Sequence, residues 1–343
     1  MKQIHRVAIV GCGSIAGNHV KGILAAGQEL CALCDVLPTQ AQKLIEKHEL
    51  GNIPVYTDYQ EMLTAVSPDA VHICTPHYLH AKMCVTALSQ NIHVLCEKPI
   101  CISMEELDDV RRAVKSSHAQ LGICLQNRYE PSMLRLRELA QQSGVTAGFG
   151  NVVWNRDEVY YASGAWRGTW AQEGGGVMIN QAIHTLDLLQ WICGMPSTVV
   201  AHLANDHLTD VIEVEDTVSA RFACADGKIL NFFATTGAGK SFSAQLRIKL
   251  ADGSTLTAEN GMLLRNSALL PTPQTEAAYG KDVWGGGHKT LIADFYGALQ
   301  QNRPFAIGFS EAERVMRLVF GIYRSNGLRI SVPQLPETSY HTS

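Results

Sequence analysis

The feature that most constrains this chain lies near its start. A short apolar run, Arg6 to Val10, breaks at once into Gly11-Cys12-Gly13-Ser14-Ile15-Ala16-Gly17 and continues as the helical pattern of His19 to Ala26. Strand, glycine-rich turn and helix in that order form a G-x-G-x-x-G/A fingerprint with Ala16 in the third place. Gly11 permits the tight turn, Gly13 lets a pyrophosphate reach the backbone, and Ala16 lets helix and strand pack. Ser14 and Ile15 lead into the positive end of the helix, where a phosphate is stabilised. A second strand, Glu29 to Cys34, ends on Asp35, whose carboxylate is placed to accept hydrogen bonds from ribose hydroxyls and to repel a 2′-phosphate. No arginine follows in Val36-Leu37-Pro38-Thr39, so NAD is favoured over NADP.

The alternation continues. Thr39 to His48 reads as a helix, Val55-Tyr56 as a strand, Asp58 to Val66 as a helix capped by Asp58, and Ala70 to Cys74 as a strand stopped at Thr75-Pro76. A helix from His80 to Gln90, a strand from His93 to Cys96, a helix from Ser103 to Ser116 with Glu106 completing a capping box, and a strand from Gln120 to Gln126 follow. Such alternation predicts a doubly wound parallel sheet with ligands at the carboxyl ends of its strands. Those ends carry Gly11, Asp35, Thr75 and Glu97, and with Gly13 to Ala16, Pro76, His80 and Lys98 they make up the expected cofactor-contacting set. In Glu97-Lys98-Pro99 the lysine is placed to hydrogen-bond a substrate oxygen, with the proline keeping it extended.

At Asn127-Arg128-Tyr129-Glu130-Pro131 the alternation ends. The expected division is a dinucleotide-binding domain over 1–126, an α+β domain over 127–330 and a tail over 331–343. The second domain begins with a helix from Ser132 to Gln142. Strands are predicted around Gly148 to Trp154, Thr198 to Leu203, Thr217 to Cys224, Ile229 to Thr235 and Ala244 to Leu250, with turns at Asp226-Gly227 and Asp252-Gly253. Two closing helices run over His288 to Gln300 and Ser310 to Asn326. Strands without intervening helices predict a mostly antiparallel open sheet with helices on one face, the other being available to a homodimer or homotetramer partner.

Gly174-Gly175-Gly176 opens the second notable stretch, Val177 to Asp187, which reads as one helix entered from the glycines. Asn180, His184 and Asp187 then share a face, while Val177, Ile179, Ile183, Leu186 and Leu189 are apolar. The glycines remove side chains where a ligand or another strand approaches, and His184 is suited to proton exchange near neutral pH.

Composition excludes several classes. The 343 residues carry a formal charge of −4, with 46% hydrophobic and 17% charged residues, so there is no basic footprint for nucleic acid or membrane. No segment holds eighteen uncharged apolar residues and the chain starts without a signal-peptide core, so a cytoplasmic location is expected. The ten cysteines are scattered through apolar runs and read as buried thiols; Cys31 and Cys34 lie within one strand, which is not a redox geometry. His72, His77 and His80 lack a recognised ligand spacing, and no metal is expected.

These motifs together resemble the glucose-fructose oxidoreductase, inositol dehydrogenase and MocA family. The resemblance rests on the glycine loop, Thr75-Pro76 with His80, Glu97-Lys98-Pro99 and the Gly174 to Asp187 block, and spans nearly the whole chain. It implies an N-terminal Rossmann doubly wound parallel sheet plus a C-terminal α+β domain with a mostly antiparallel open sheet. The activity it implies is NAD(P)-dependent oxidation of a secondary alcohol on a sugar or polyol, or the reverse reduction. Lys98 and His184 would form the catalytic pair. Asn180 stands where many relatives have aspartate, so it orients groups but cannot hold a proton. Gln126-Asn127-Arg128-Tyr129 and Trp166-Arg167-Gly168-Thr169-Trp170 resemble the sugar and UDP-sugar branches. Arg128, Tyr160, Trp166, Arg167, Asn180, His184 and His288 are the candidates for substrate contact. Two alternatives remain open: an NAD-dependent glycosidase of the same family, and a non-catalytic sugar- or nucleotide-binding regulator.

Overall fold

The computed structural model describes residues 5–273 and 287–332. It divides into two compact units that are discontinuous in the chain. The first comprises Met1–Pro131, Thr169–Gly174 and Pro273–Ala312; the second comprises Ser132–Gly168, Gly175–Thr272 and Glu313–Ser343. The expected tail, beyond Ser331 and Val332, lies outside the described residues.

The first unit contains β1 (Arg6–Val10), α1 (Ala16–Ala25), β2 (Glu29–Cys34), α2 (Pro38–His48), β3 (Val55–Tyr56), α3 (Tyr59–Val66), β4 (Ala70–Ile73), α4 (His77–Ser89), β5 (His93–Cys96), α5 (Met104–Ser116) and β6 (Leu121–Ile123). Its six strands run in the order β3-β2-β1-β4-β5-β6 and all pair in parallel. The order reverses between β1 and β4, so the crevice of a doubly wound sheet opens at Gly11 and Thr75. Strands covered on both faces need apolar residues at nearly every position, and Val7, Ala8, Ile9, Ala32, Leu33, Val71, Ile73, Val94 and Leu95 are wholly buried. Each large one contributes roughly 1.5–3 kcal/mol.

Helix starts differ from expectation in places: α1 begins at Ala16, three residues before the expected His19. α4 begins at His77, three residues early, because Pro76 takes the N-cap position with its backbone extended. At α5 the Ser103 hydroxyl accepts from Glu106 N, as a capping box requires, but the Glu106 carboxylate reaches Ile102 N. The strand predicted to Gln126 ends at Ile123, and Gln126–Tyr129 forms a 3-10 turn.

The second unit holds α6 (Pro131–Ser143), β7 (Val145–Val153), α7 (Glu158–Ala162), α8 (Val177–Asn180), α9 (Ile183–Cys193), β8 (Thr198–Ala204), β9 (Thr217–Ala223), β10 (Ile229–Thr235), β11 (Gln245–Leu250), β12 (Thr255–Glu259), β13 (Met262–Arg265) and β14 (Ala268–Leu270). α10 (Gly287–Gln300) returns to the first unit, where a Cβ on Gly22 of α1 would lie 2.4 Å from Ile292. α11 (Phe309–Ser325) and β15 (Ile330–Ser331) close the described chain.

The second sheet has nine strands in the order β14-β13-β12-β11-β7-β10-β9-β8-β15, antiparallel except for β10 with β7. Alternation is clear on β9 and β11: Val218, Ala220, Phe222, Leu246, Ile248 and Leu250 are buried, whereas Ser219, Arg221, Arg247 and Lys249 are exposed. α9 lies on the buried face, since a Cβ on Gly148 of β7 would meet Leu189 and Cys193 at 2.9 Å. The β12–β14 meander was not predicted, although Asn260-Gly261 forms the turn between β12 and β13 with both residues at positive φ. All ten cysteines are free and buried. No helix among the described residues is long and apolar enough to cross a membrane.

Candidate functional site

In the first unit, Gly11 has φ +85, and a Cβ there would lie 2.6 Å from the carbonyl of Cys74 at the end of β4. Only glycine fits where β1 and β4 approach. A Cβ on Gly13, by contrast, would meet nothing within 4 Å, and Gly13 and Ser14 are exposed. α1 starts at Ala16 with Ile15 as N-cap and no side-chain cap, so its first amides are directed at whatever lies before the helix. Asp35 Oδ2 accepts from Cys12 N at 2.7 Å and Oδ1 from Leu37 N at 2.8 Å. One amide on each oxygen fixes the carboxylate beside the loop and leaves lone pairs for further donors. An uncapped helix, an open second glycine and a fixed carboxylate fit a dinucleotide. A shallow pocket of about 340 Å³ lined by His5, Asp69, Asn91 and His93 lies at the opposite, amino-terminal edge of this sheet.

Behind the loop lies a buried polar chain. Glu97 Oε1 faces His19 Nε2 at 3.1 Å and His288 Nε2 at 3.0 Å. His19 Nδ1 faces His72 Nδ1 at 2.8 Å, and His72 Nε2 faces the Tyr296 hydroxyl at 2.8 Å. One proton pattern accounts for all four of these contacts, with His288 Nδ1 left buried and without a hydrogen-bond partner. With the carboxylate ionised, both Nε2 atoms donate to it; neutral His19 then accepts from His72 Nδ1, and His72 accepts from the tyrosine hydroxyl. Titration agrees with this pattern. Burial opposes the Glu97 charge, but the two imidazole donors outweigh it and hold the carboxyl well below its ordinary range. Burial holds His19 below its ordinary value and His72 well below.

Glu97 Oε2 also accepts from Lys98 N at 3.3 Å. The Glu97 anchor thus orients the backbone that carries half-buried Lys98. On the other side of the turn, His80 sets Nδ1 2.6 Å from Pro99 O and Nε2 2.7 Å from Thr75 O, tying the end of β4 to the residue after Lys98. Only an imidazolium donates to both carbonyls; burial pushes His80 below its ordinary value, and the two carbonyl contacts oppose that shift. His77 Nδ1 bonds to Glu173 O at 2.9 Å. His72, His77 and His80 therefore have three separate sets of partners. Instead, donor atoms of His19, Glu97, Cys124 and His288 come within 4.8 Å of one another. Burial keeps the Cys124 thiol well above its ordinary pKa, hence protonated. Arg128, buried, pairs with Glu311 at 2.6 Å.

The second unit alters the expected helix. Val177 to Asp187 is two helices, because Ala182 N reaches back five residues to Val177 O at 2.8 Å, an offset of the π type. Asn180 and His184 therefore lie on two successive helices and not on one continuous helix. His184 is the one residue of Gln181–Gln190 that is not buried. Asp187, 1% exposed, accepts from Gln190 Nε2 at 3.1 Å inside α9.

The glycines before α8 serve packing in both units. A Cβ on Gly174 would lie 2.4 Å from Ile102 in the first unit. In the second, a Cβ on Gly175 would lie 2.0 Å from the Tyr323 hydroxyl, and one on Gly176 would lie 1.9 Å from Glu215 O. It is the segment leading into β9 that occupies this space. The Glu215 carboxylate accepts from Gly176 N at 2.8 Å, Met178 N at 3.0 Å and the Tyr323 hydroxyl at 3.0 Å, and so caps the helix that presents Asn180. Burial nonetheless pushes its pKa up to about 7. Sequence reading missed Glu215, and it missed His19 as a partner of Glu97.

Around α7 the candidates Tyr160, Trp166, Arg167 and Asn180 do come together. The Tyr160 hydroxyl accepts from Arg167 Nη1 at 2.7 Å, Gln181 Nε2 at 3.1 Å and Asn180 Nδ2 at 3.3 Å.

Comparison with known proteins places this geometry. Residues 5–124 match the family model for an oxidoreductase family with an NAD-binding Rossmann fold, and residues 145–255 match the GFO/IDH/MocA C-terminal domain. A D-glucoside 3-dehydrogenase of Escherichia coli K12 is 33% identical over 207 residues, 57% of each chain. An inositol 2-dehydrogenase of Salmonella typhimurium is 24% identical over 190 residues, 54% of each chain. These matches thus span little more than half the length of these relatives. Among solved structures, the WlbA dehydrogenase of Bordetella pertussis in complex with NADH and UDP-GlcNAcA superposes with a TM-score of 0.83 at 26% identity, covering 97% of this chain and 100% of that one.

Proposed function

Because the chain belongs to the GFO/IDH/MocA oxidoreductase family in both of its domains, we propose that it is an NAD-dependent dehydrogenase oxidising a secondary alcohol of a sugar, polyol or sugar derivative. The observation that carries this reading is Asp35, fixed to Cys12 N of the glycine loop with lone pairs left for ribose hydroxyls. The same carboxylate repels a 2′-phosphate, which supports NAD over NADP. The names of the relatives, a glucoside and an inositol dehydrogenase, and the NADH and UDP-GlcNAcA bound to a similar fold, support the substrate class.

Gly13 and the first amides of α1 would hold the pyrophosphate, and Asp35 the ribose. When bound, NAD supplies the acceptor for the hydride leaving the substrate carbon. His184 takes the hydroxyl proton, which its partly exposed position near the start of α9 permits. Lys98 donates a hydrogen bond to the same oxygen and stabilises the negative charge developing there. Asn180 orients the substrate without exchanging a proton.

The test is a panel of sugars, polyols and UDP-sugars followed by absorbance of reduced nicotinamide, then His184→Asn and Lys98→Met on the substrate found. Each variant is expected to lose about 100- to 10,000-fold in kcat, and His184→Asn should still bind NAD as the parent does. Unchanged turnover in either variant refutes its assigned role.

A further inference from the structure

The charges around Tyr160 point to what the substrate carries. Arg156 lies 5.0 Å from the Trp154 ring centre and 4.9 Å from that of Tyr160; Arg167 lies 4.5 Å from Tyr160 and 4.5 Å from Trp166. Two guanidinium groups thus share one ring, each also on a tryptophan. Since both lie less than 5 Å from the same ring centre, their carbons are less than 10 Å apart. At about one Debye length their repulsion is only partly screened.

Neither cation forms an ion pair among the described residues, in contrast to Arg128, Arg265, Arg303 and Arg317. The adjacent carboxylate of Asp157 accepts from Tyr160 N instead, as the cap of α7. Of the five N–H donors on each guanidinium, Arg156 uses Nη1 on Asn155 O and Arg167 uses Nη1 on the Tyr160 hydroxyl. Both side chains are half-buried, so neither is simply a solvated surface charge. Aromatic stacking fixes the planes of the two groups without neutralising them. The same tyrosine hydroxyl takes a bond from Asn180 on the helix leading to His184. The cation pair is therefore attached to the residues assigned to substrate.

We propose that Arg156 and Arg167 form an anion subsite and that the substrate is a sugar bearing a carboxylate or phosphoryl group, not a neutral polyol. This rests on the dehydrogenase reading above and narrows it. A planar carboxylate or a phosphoryl oxygen pair matches the paired donors of a guanidinium, a recognition that lone hydroxyl groups do not call on. Trp154 and Trp166 hold the donors in place, so little side-chain freedom is lost on binding.

The test compares kcat/KM for matched sugars that differ only in the charged group: a methyl hexoside, the corresponding methyl hexuronide and the hexoside 6-phosphate, with a UDP-hexuronate as a further arm. The parent protein is expected to favour a charged member at least about 100-fold. The arm that wins distinguishes carboxylate from phosphoryl recognition. In Arg156→Gln/Arg167→Gln that ratio is expected to fall to within a few-fold of one, chiefly through KM. Equal efficiency with neutral and charged members in the parent, or an unchanged ratio in the double variant, overturns the proposal.

Calorimetric titration of the same sugars into NAD-saturated protein separates the two readings. Charged-sugar binding that the double variant loses, without turnover of any sugar, sustains the subsite and counts against the dehydrogenase. No preferential binding of the charged members in the parent overturns the subsite even if neutral sugars are oxidised.

Discussion

Each unit buries one glutamate beside a residue assigned to the reaction, and the two are held in opposite ways. Glu97 precedes Lys98 and is held by imidazoles of His19 and His288, which lie 78 and 191 residues away in the chain. Glu215 caps the helix bearing Asn180 and is held by two backbone amides and one phenol. Hydrogen bonds from the His19 and His288 side chains keep Glu97 ionised. The amides and phenol around Glu215 do not outweigh its desolvation, and it titrates near neutrality. One unit therefore carries a fixed buried anion; the other carries a carboxyl whose charge follows the pH of the medium.

The largest expected effect tests the space around the second glutamate. Gly176→Ala places a methyl group 1.9 Å from a backbone carbonyl that cannot swing aside. A loss above about 4 kcal/mol is expected, enough to unfold most of a marginal protein. Gly13→Ala is the counterpart in the first unit, where the added methyl meets nothing. It should cost under about 1 kcal/mol and yet weaken NAD binding, since it fills the approach to the backbone. Urea denaturation and NAD titration of the two variants check this; a stable Gly176→Ala protein removes the packing account of the triple glycine.

Next in size is the exchange of each carboxylate for an amide. Glu97→Gln sets an NH₂ group against either the imidazole donors or Lys98 N. With the carboxylate charge gone as well, a loss of roughly 3–5 kcal/mol is expected, as for breaking a buried pair. Glu215→Gln replaces a group already half-neutral at pH 7 and should cost about 1 kcal/mol there.

Their pH profiles separate further. The folded pKa of Glu215, about 7 against an ordinary 4.5, means that the folded state binds more protons between those values. Its contribution is fully present below the unfolded pKa and is lost as pH rises through about 7, a change on the order of 3 kcal/mol. His19 and His72, depressed in the folded state, work the other way: stability falls as pH drops below their ordinary 6.5. Subtracting the Glu215→Gln profile from that of the parent isolates the first effect. A flat difference between pH 5 and 8 contradicts the raised pKa.

The legible part of the molecule is the part that local sequence encodes. The first sheet is readable because its buried strands are nearly continuous apolar runs between helix signals, and Asp58 and Ser103 both cap as their positions predict. The candidate set around Tyr160 was readable in part, since aromatic and arginine residues cluster within Arg156 to Arg167. The break at Gln181-Ala182 was not. Its residues are ordinary helix formers, and the carboxylate that caps α8, Glu215, lies 37 residues beyond Met178. Glu97 was visible as a motif, but its partners were not, because His19 reads as one more position on an amphipathic helix and His72 as a polar break in an apolar strand. Buried polar networks are assembled from distant positions, so no spacing rule announces them. The Asn260-Gly261 turn is different: the signal was present and was passed over beside the two aspartate-glycine turns.

The smallest expected effect sharpens the comparison most narrowly. Tyr323 gives Glu215 its one side-chain donor, at 3.0 Å to Oε1, and Met178 N donates to the same oxygen at the same distance. Tyr323→Phe leaves both backbone amides in place and should destabilise the protein by about 1 kcal/mol. Because a donor to the charged form is lost, the Glu215 pKa should move further up, and the loss of stability with rising pH should extend to higher pH. Denaturation midpoints between pH 6 and 9 measure that displacement. If the profile moves to lower pH instead, the phenol is accepting a proton from a neutral carboxyl, and the second glutamate is held as an acid by its surroundings.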